Sequence, residues 1–216
     1  MSSSPRNSVD RTPGSSIDRS FDRLPLRERK KLKTRRAIQD HALRLFVEQG
    51  YDATTVEQIA AAAEISPSTF FRYFPSKEDC VLTDEYDPIM ADVFRAQPPE
   101  LGAIEALRAM YREMLTRMYG RDREQILIRS KLIMSVPALR ARTFDPMQQE
   151  SLGMFNELVA ERSGRSPDDP RIRVFTWATM AALEASVVTW AESDGALDLP
   201  KLIDDALCFV ADGCPL

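Results

Sequence analysis

Ser66-Pro67-Ser68-Thr69-Phe70-Phe71-Arg72-Tyr73-Phe74-Pro75-Ser76 is the stretch on which the reading of this chain turns. The Ser66 hydroxyl can accept from a free amide of a first helical turn. Pro67 suits the first helical position, where its missing N–H is no loss. Pro75 stops the run, so the spacing predicts a helix of about two turns over Ser68–Phe74. Phe70 and Phe74, four apart, share a face and are expected to point inward onto Ile59 and Leu45. Four aromatics in five residues cannot all be buried. Pro67, Ser68, Phe71, Arg72 and Tyr73 are therefore assigned to the opposite face.

Working upstream, Thr54-Thr55-Val56-Glu57 reads as a capping box opening a second short helix. Val56, Ile59 and Ala60 supply its buried face, and Glu64-Ile65 forms the turn into the next helix. Before it, Ile38, Ala42, Leu45 and Phe46 recur at helical spacing, and Gly50 supplies the stop. A longer helix followed by two short ones across a tight turn is the tri-helical arrangement that sets its last helix in the DNA major groove. In that role Arg72 can fork onto guanine, Ser68 and Tyr73 can bond phosphates, and Phe71 or Pro67 can touch a thymine methyl.

The net charge of −4 argues against nucleic acid, but its distribution argues for it. Residues 26–83 carry ten Lys/Arg against eight Asp/Glu, and eight of the ten lie between Arg27 and Arg44. Residues 84–216 carry fifteen against twenty-two, so the positive field is confined to the helix-turn-helix end. Residues 1–25 are Ser, Pro, Arg and Asp with few apolar anchors and read as a disordered arm without a secretory signal. Cys80, Cys208 and Cys214 form no CxxC pair and His41 has no companion ligand. Neither a disulfide framework nor a zinc site is expected, and a reducing cytoplasm is.

Beyond Lys77 the pattern is helical, with helices expected near 77–95, 100–119, 122–135, 138–162, 170–193 and 199–212. Breaks are expected at Gly120 and Pro137, and kinks at Pro88 and Pro146. Nothing alternates with period two, and no apolar run approaches the ~20 residues of a bilayer span, so no membrane is expected. The expectation is an all-α chain: an arm at 1–25, a helix-turn-helix domain at 26–83 and a larger helical domain at 84–216.

The stretch Arg35 to Leu82 resembles the DNA-binding domain of the TetR (tetracycline-repressor) family. The residues that carry the likeness are Ile38-x3-Ala42-x2-Leu45-Phe46-x3-Gly50-Tyr51, Thr54-Thr55-Val56-x2-Ile59-Ala60, and Ser68-Thr69-Phe70-Phe71-Arg72-Tyr73-Phe74-Pro75-Ser76-Lys77-Glu78. The resemblance implies phosphate contacts from Thr54 or Thr55 and from Lys77, with Pro67 to Tyr73 reading the groove. Arg35 and Arg36 join the candidate DNA-binding set as part of the basic helix. Two positions depart from the family: Glu64 where glycine is usual, and Phe71 where tyrosine is common.

In that family the second domain dimerises through its last two helices and encloses a small-molecule pocket. Here Ile172 to Trp190 is apolar nearly all round, with Ala178, Ala181, Ala182 and Ala185 permitting close approach, which a four-helix dimer interface would explain, with burial within one monomer core the alternative. Tyr111, Met114, Met118, Phe155, Trp177 and Met180 are the candidates for lining an effector cavity, with core packing the alternative for each. The segment Leu132-Ile133-x3-Pro137-Ala138-Leu139-Arg140-Ala141-Arg142, with Trp190, is similar to the C-terminal domain of mycofactocin-type regulators, which implies a lipophilic or acyl-thioester effector. The chain is thus expected to be a ligand-responsive repressor, a homodimer on a palindromic double-stranded operator, needing no cofactor. A helical enzyme would need a phosphate loop, a nucleophile elbow or HExxH, and the sequence has none of them. The other alternative is an effector-independent DNA-binding or protein-interaction adaptor.

Overall fold

The computed structural model describes residues 24–83, 87–143 and 148–216, and among them every regular element is a helix. In chain order these are α1 (Leu26–Gln49), α2 (Val56–Ala62), α3 (Pro67–Tyr73), α4 (Asp79–Leu82) and α5 (Asp87–Arg95). They are followed by α6 (Ala103–Ser135), α7 (Pro137–Thr143), α8 (Gln148–Ser163), α9 (Pro170–Glu192) and α10 (Leu199–Ala211). The arm as far as residue 23, and Pro146, lie outside the described residues.

Local chemistry sets the short helices. α1 ends where Gly50 takes a positive φ of 91° and returns its N–H to the Phe46 carbonyl. The capping box of α2 is one residue later than the sequence suggests. The Thr55 hydroxyl accepts from Gln58 N–H while the Gln58 side chain accepts from Thr55 N–H. Thr54 instead turns inward, 1% exposed, and donates to the Gly50 carbonyl at 2.7 Å. α3 starts as expected, with Ser66 Oγ accepting from Thr69 N–H at 3.1 Å and Pro67 in its first turn.

Glu64, in the turn between α2 and α3, has φ of +54°. That left-handed geometry lets Ile65 N–H reach the Ala60 carbonyl at 2.9 Å, closing the end of α2. A side chain there costs roughly 1 kcal/mol that glycine would not. Glu64→Gly should therefore raise stability slightly, by up to about 0.6 kcal/mol after the ~0.4–1 kcal/mol of extra unfolded-state freedom of glycine is subtracted. A thermal melt that moves down would show that the Glu64 side chain contributes more than its backbone strain removes.

Three expected boundaries differ. The helix foreseen over 77–95 is two, α4 and α5, with Pro88 in the first turn of α5, where proline is tolerated. Gly120 does not break α6, which runs 33 residues through it. An interior glycine weakens a helix by only ~1 kcal/mol, and α6 packs against α4, α5, α7, α9 and α10 along its length. The run foreseen at 138–162 is α7 and α8, with residues 144–147 outside the described residues.

Phe70, Phe74, Ile38, Ile59, Ala42 and Phe46 form one buried cluster against which Leu45 packs, in line with the spacing of the two phenylalanines. The same cluster takes in Leu139 of α7, with Ile128, Leu132 and Ile133 of α6 packed on it. The core of the helix-turn-helix therefore continues past residue 83 into the far end of α6. A second cluster joins α5, α6 and α8, and a third joins α6, α9 and α10. α9 has the length and mean hydropathy of a bilayer-spanning helix, unlike the sequence expectation. Its buried Thr176, Thr179 and Ser186 and its packing against α6, α8 and α10 make it a central helix of the bundle.

Candidate nucleic-acid interface and effector core

α3 presents two chemically distinct faces. Phe70 is fully buried, while Phe71 is 52% exposed, and Pro67, Ser68 and Arg72 are exposed beside it. Tyr73 is half-buried, and the Arg72 guanidinium lies over its ring, 5.5 Å from the centroid. Phe70 and Phe71 meet edge-on at 5.6 Å, which braces the exposed ring from below. Thr55, exposed at the start of α2, sits at the amino end of the neighbouring helix.

Arg72 and Tyr73 also form one wall of an open cleft of about 760 Å³ whose other wall is the first turns of α1: Arg27, Lys30, Lys31 and Thr34. Arg27, Lys30 and Lys31 lie outside the candidate set drawn from the sequence. The cluster of positive charge from Arg27 to Arg44 is the signal that points to them.

The four remaining candidates for DNA contact are engaged within the protein. Thr54 is buried against the end of α1. The Arg35 guanidinium lies 4.6 Å from the centre of the Phe74 ring and donates to Thr83 Oγ1. Arg36 is paired with Asp122 of α6, whose carboxylate is nearly buried. Lys77 donates to the carbonyls of Tyr51 and Thr54 at 2.9 and 3.1 Å and sits over the Tyr51 ring. Arg35 precedes Ile38 by three residues and so lies on the inward stripe of α1, a placement the helical period already implies. Arg35, Arg36 and Thr54 thus rest against the protein itself, and Lys77 ties the α1–α2 turn to the loop after α3.

That loop is also held from the second domain. Arg142 of α7 donates to Ser76 Oγ at 2.7 Å and to Asp79 Oδ1 at 3.1 Å, with Glu78 at 3.8 Å. Tyr51 Oη donates to Glu78 Oε1 at 2.6 Å. Burial pushes the Glu78 carboxyl up, but the Tyr51 and Ser76 hydrogen bonds, a backbone N–H and the Arg142 charge together hold it below the usual carboxylate value. Burial, then the Glu78 carboxylate, push the Tyr51 phenol well up, so it remains a donor. Arg129 of α6 adds a bond to the Val81 carbonyl at 2.8 Å.

Of the effector candidates, Met114 and Phe155 are buried in the second cluster, and Tyr111 and Met180 pack against both the second and the third. The side chain of Met118 lies outside what the structure describes. Trp177 does not join them. It is 53% exposed on the outer side of α9, in one stripe with Val174 (69% exposed) and the exposed Ala181 and Ala185. In the single chain Trp177 is thus a surface residue of the helix expected to dimerise.

A helix-turn-helix with a cationic flank, docked on a helix of about nine turns in a larger bundle, defines a class of DNA-binding regulator. Residues 38–83 match the bacterial regulatory proteins of the tetR family, and residues 101–215 match the MftR C-terminal domain. The chain belongs to the TetR family of transcriptional regulators. It is 34% identical over 151 residues to the HTH-type transcriptional regulator TcmR of Streptomyces glaucescens, a match covering 67% of this chain and 66% of TcmR, just under two thirds of that protein. The fold is similar to that of the fatty acid degradation regulator FadR of Bacillus halodurans (TM-score 0.56, 23% identity, 82% of this chain and 97% of that one). It is also similar to FadR of Bacillus subtilis crystallised with stearoyl-CoA (TM-score 0.53, 24% identity, 82% and 97%).

Proposed function

We propose that this protein is a cytoplasmic, non-enzymatic repressor that binds a near-palindromic operator as a homodimer and is released by an acyl-thioester or similarly apolar effector. The observation that carries the DNA-binding part is the split of α3 and its cap: Phe70 and Phe74 locked in the core, Pro67, Ser68, Phe71 and Arg72 exposed on the other side, and Tyr73 half-buried at the edge between them. Arg27, Lys30 and Lys31, with Thr55, supply phosphate contacts on the flank, and Arg72 reads a base edge. The convergence of Tyr111, Met114, Phe155 and Met180 supports an effector site between α6, α8 and α9, and the acyl-CoA-bound relative of the same fold supports its chemical class. The exposed apolar stripe of α9 supports the dimer.

Arg72→Ala should relax preference at one base position per half-site, at about 1–3 kcal/mol, without changing the salt dependence by much. Lys30→Ala and Lys31→Ala should weaken binding to all sequences alike and lower the slope of log affinity against log salt by about one per cation and subunit. Binding measured across a panel of operator variants at several salt concentrations separates the two effects. If Arg72→Ala discriminates as the parent does, α3 is not the groove-reading helix.

A further inference from the structure

Among the described residues of the second domain, two buried side-chain oxygens have no hydrogen-bond partner: Asn156 Oδ1 on α8 and Thr176 Oγ1 on α9. Thr176 is 1% exposed. A helical threonine ordinarily turns its hydroxyl back onto its own helix, as Thr179 does onto the carbonyls of Phe175 and Thr176. Thr176 does not, and an unpaired buried hydroxyl keeps its whole desolvation cost.

Helical register brings the two residues to one level of the bundle. α8 and α9 are joined by residues 164–169 and run antiparallel as a packed hairpin. Near the loop, Ala160 and Ile172 share a buried cluster. One turn farther from the loop on each helix stand Asn156 and Thr176, so the register that faces Ala160 to Ile172 sets these two at a common level. Around that level Met110, Met114 and Phe155 are buried, with Met154, Phe175 and Met180 packed against them. Unbranched, polarizable methionines re-pack readily around an apolar guest.

We propose that Asn156 and Thr176 form the polar anchor of the effector site and orient the head of an acyl thioester whose chain lies among these methionines. Thr176 Oγ–H donates to the thioester carbonyl. Asn156 Oδ1 accepts the N–H of the nearest amide in the carrier arm. This assignment rests on the effector reading under Proposed function.

The test titrates palmitoyl-CoA and its S-alkyl thioether counterpart, which lacks the carbonyl and keeps the amide, into the full-length parent, Thr176→Val and Asn156→Leu. Operator retention without ligand is measured on the same preparations. The parent should prefer the thioester about tenfold, the worth of one buried hydrogen bond. Thr176→Val should lose that preference while binding the thioether as the parent does, and should melt no lower than the parent, since a methyl replaces an unpaired hydroxyl. Asn156→Leu should weaken both probes by a similar factor. A Thr176→Val variant that keeps the preference, or that melts well below the parent because its hydroxyl is satisfied by a bound water, overturns the assignment. So does a parent that holds its operator and binds neither probe, an outcome that leaves the DNA-binding reading standing. A parent that binds the probes with the expected preference but holds no operator supports the anchor and overturns the DNA-binding reading instead.

Discussion

Ala185→Arg is expected to give a folded monomer that has lost operator binding by about a hundredfold or more. Ala185 is exposed on α9, on the side that carries Val174, Trp177 and Ala181, and Phe209 of α10 is 41% exposed in the same helix pair. The pair packs tightly, with Ser186 Oγ of α9 reaching the Leu202 carbonyl of α10 at 3.2 Å. In a symmetric dimer this surface meets its own copy, so one substitution places two guanidinium groups in an apolar seam without partners. The loss of operator affinity follows from valency. Two recognition helices tethered in one dimer gain about 10²–10⁴ over a single one, with no new contact at either half-site. Sedimentation and a gel shift on the same sample check both halves. A parent that sediments as a monomer at micromolar concentration rules the seam out.

Arg142→Ala is expected to loosen the helix-turn-helix by about 2–4 kcal/mol and to blunt the response to effector. The substitution leaves the Asp79 carboxylate, only 8% exposed, with Ser76 Oγ as its remaining side-chain partner among these groups. It also removes the charge beside Glu78, whose side chain is 22% exposed and tied to Tyr51. Arg142 stands on α7, which leads through residues 144–147 to α8, and so links the proposed effector site to the loop that ends α3. A shift of α7 on effector binding would be felt at Ser76, Glu78 and Asp79 first. Because Glu78 is held below its ordinary value of 4.5, its contribution is present above that pH and is lost as the pH falls through the lower folded value. The parent should therefore lose stability in acid more steeply than Arg142→Ala does. Equal acid profiles, or an unchanged effector response, would place the coupling elsewhere.

Most of the first domain is legible in the sequence because short-range chemistry determines it. Ser66-Pro67, Pro75, Gly50 and the Phe70/Phe74 spacing each act within one or two turns, and each produces the expected element. The differences arise where partners lie far along the chain. Arg35 and Arg36 look like cations for phosphate, yet Thr83 and Asp122, 48 and 86 residues away, hold them. Lys77 is engaged by carbonyls 23 and 26 residues upstream. Trp177 looks like a pocket residue because α9 is apolar on several faces, and composition does not say which face a second helix covers. The left-handed backbone of Glu64 accords with the family resemblance, in which glycine is usual at that position. Asn156 and Thr176 leave no sequence signal, because an unpaired buried oxygen is defined by what surrounds it.

Two copies of α3, set by a symmetric dimer, are expected to read DNA through the face carrying Arg72. Selection of bound duplexes from a random pool by the parent protein tests it most directly. The expected outcome is enrichment of a near-palindrome whose half-site centres are spaced in whole helical turns, multiples of about 10 base pairs, with a guanine in each half that loses its enrichment under Arg72→Ala. A pool that stays unenriched, or that yields a single asymmetric site indifferent to Arg72, would contradict it.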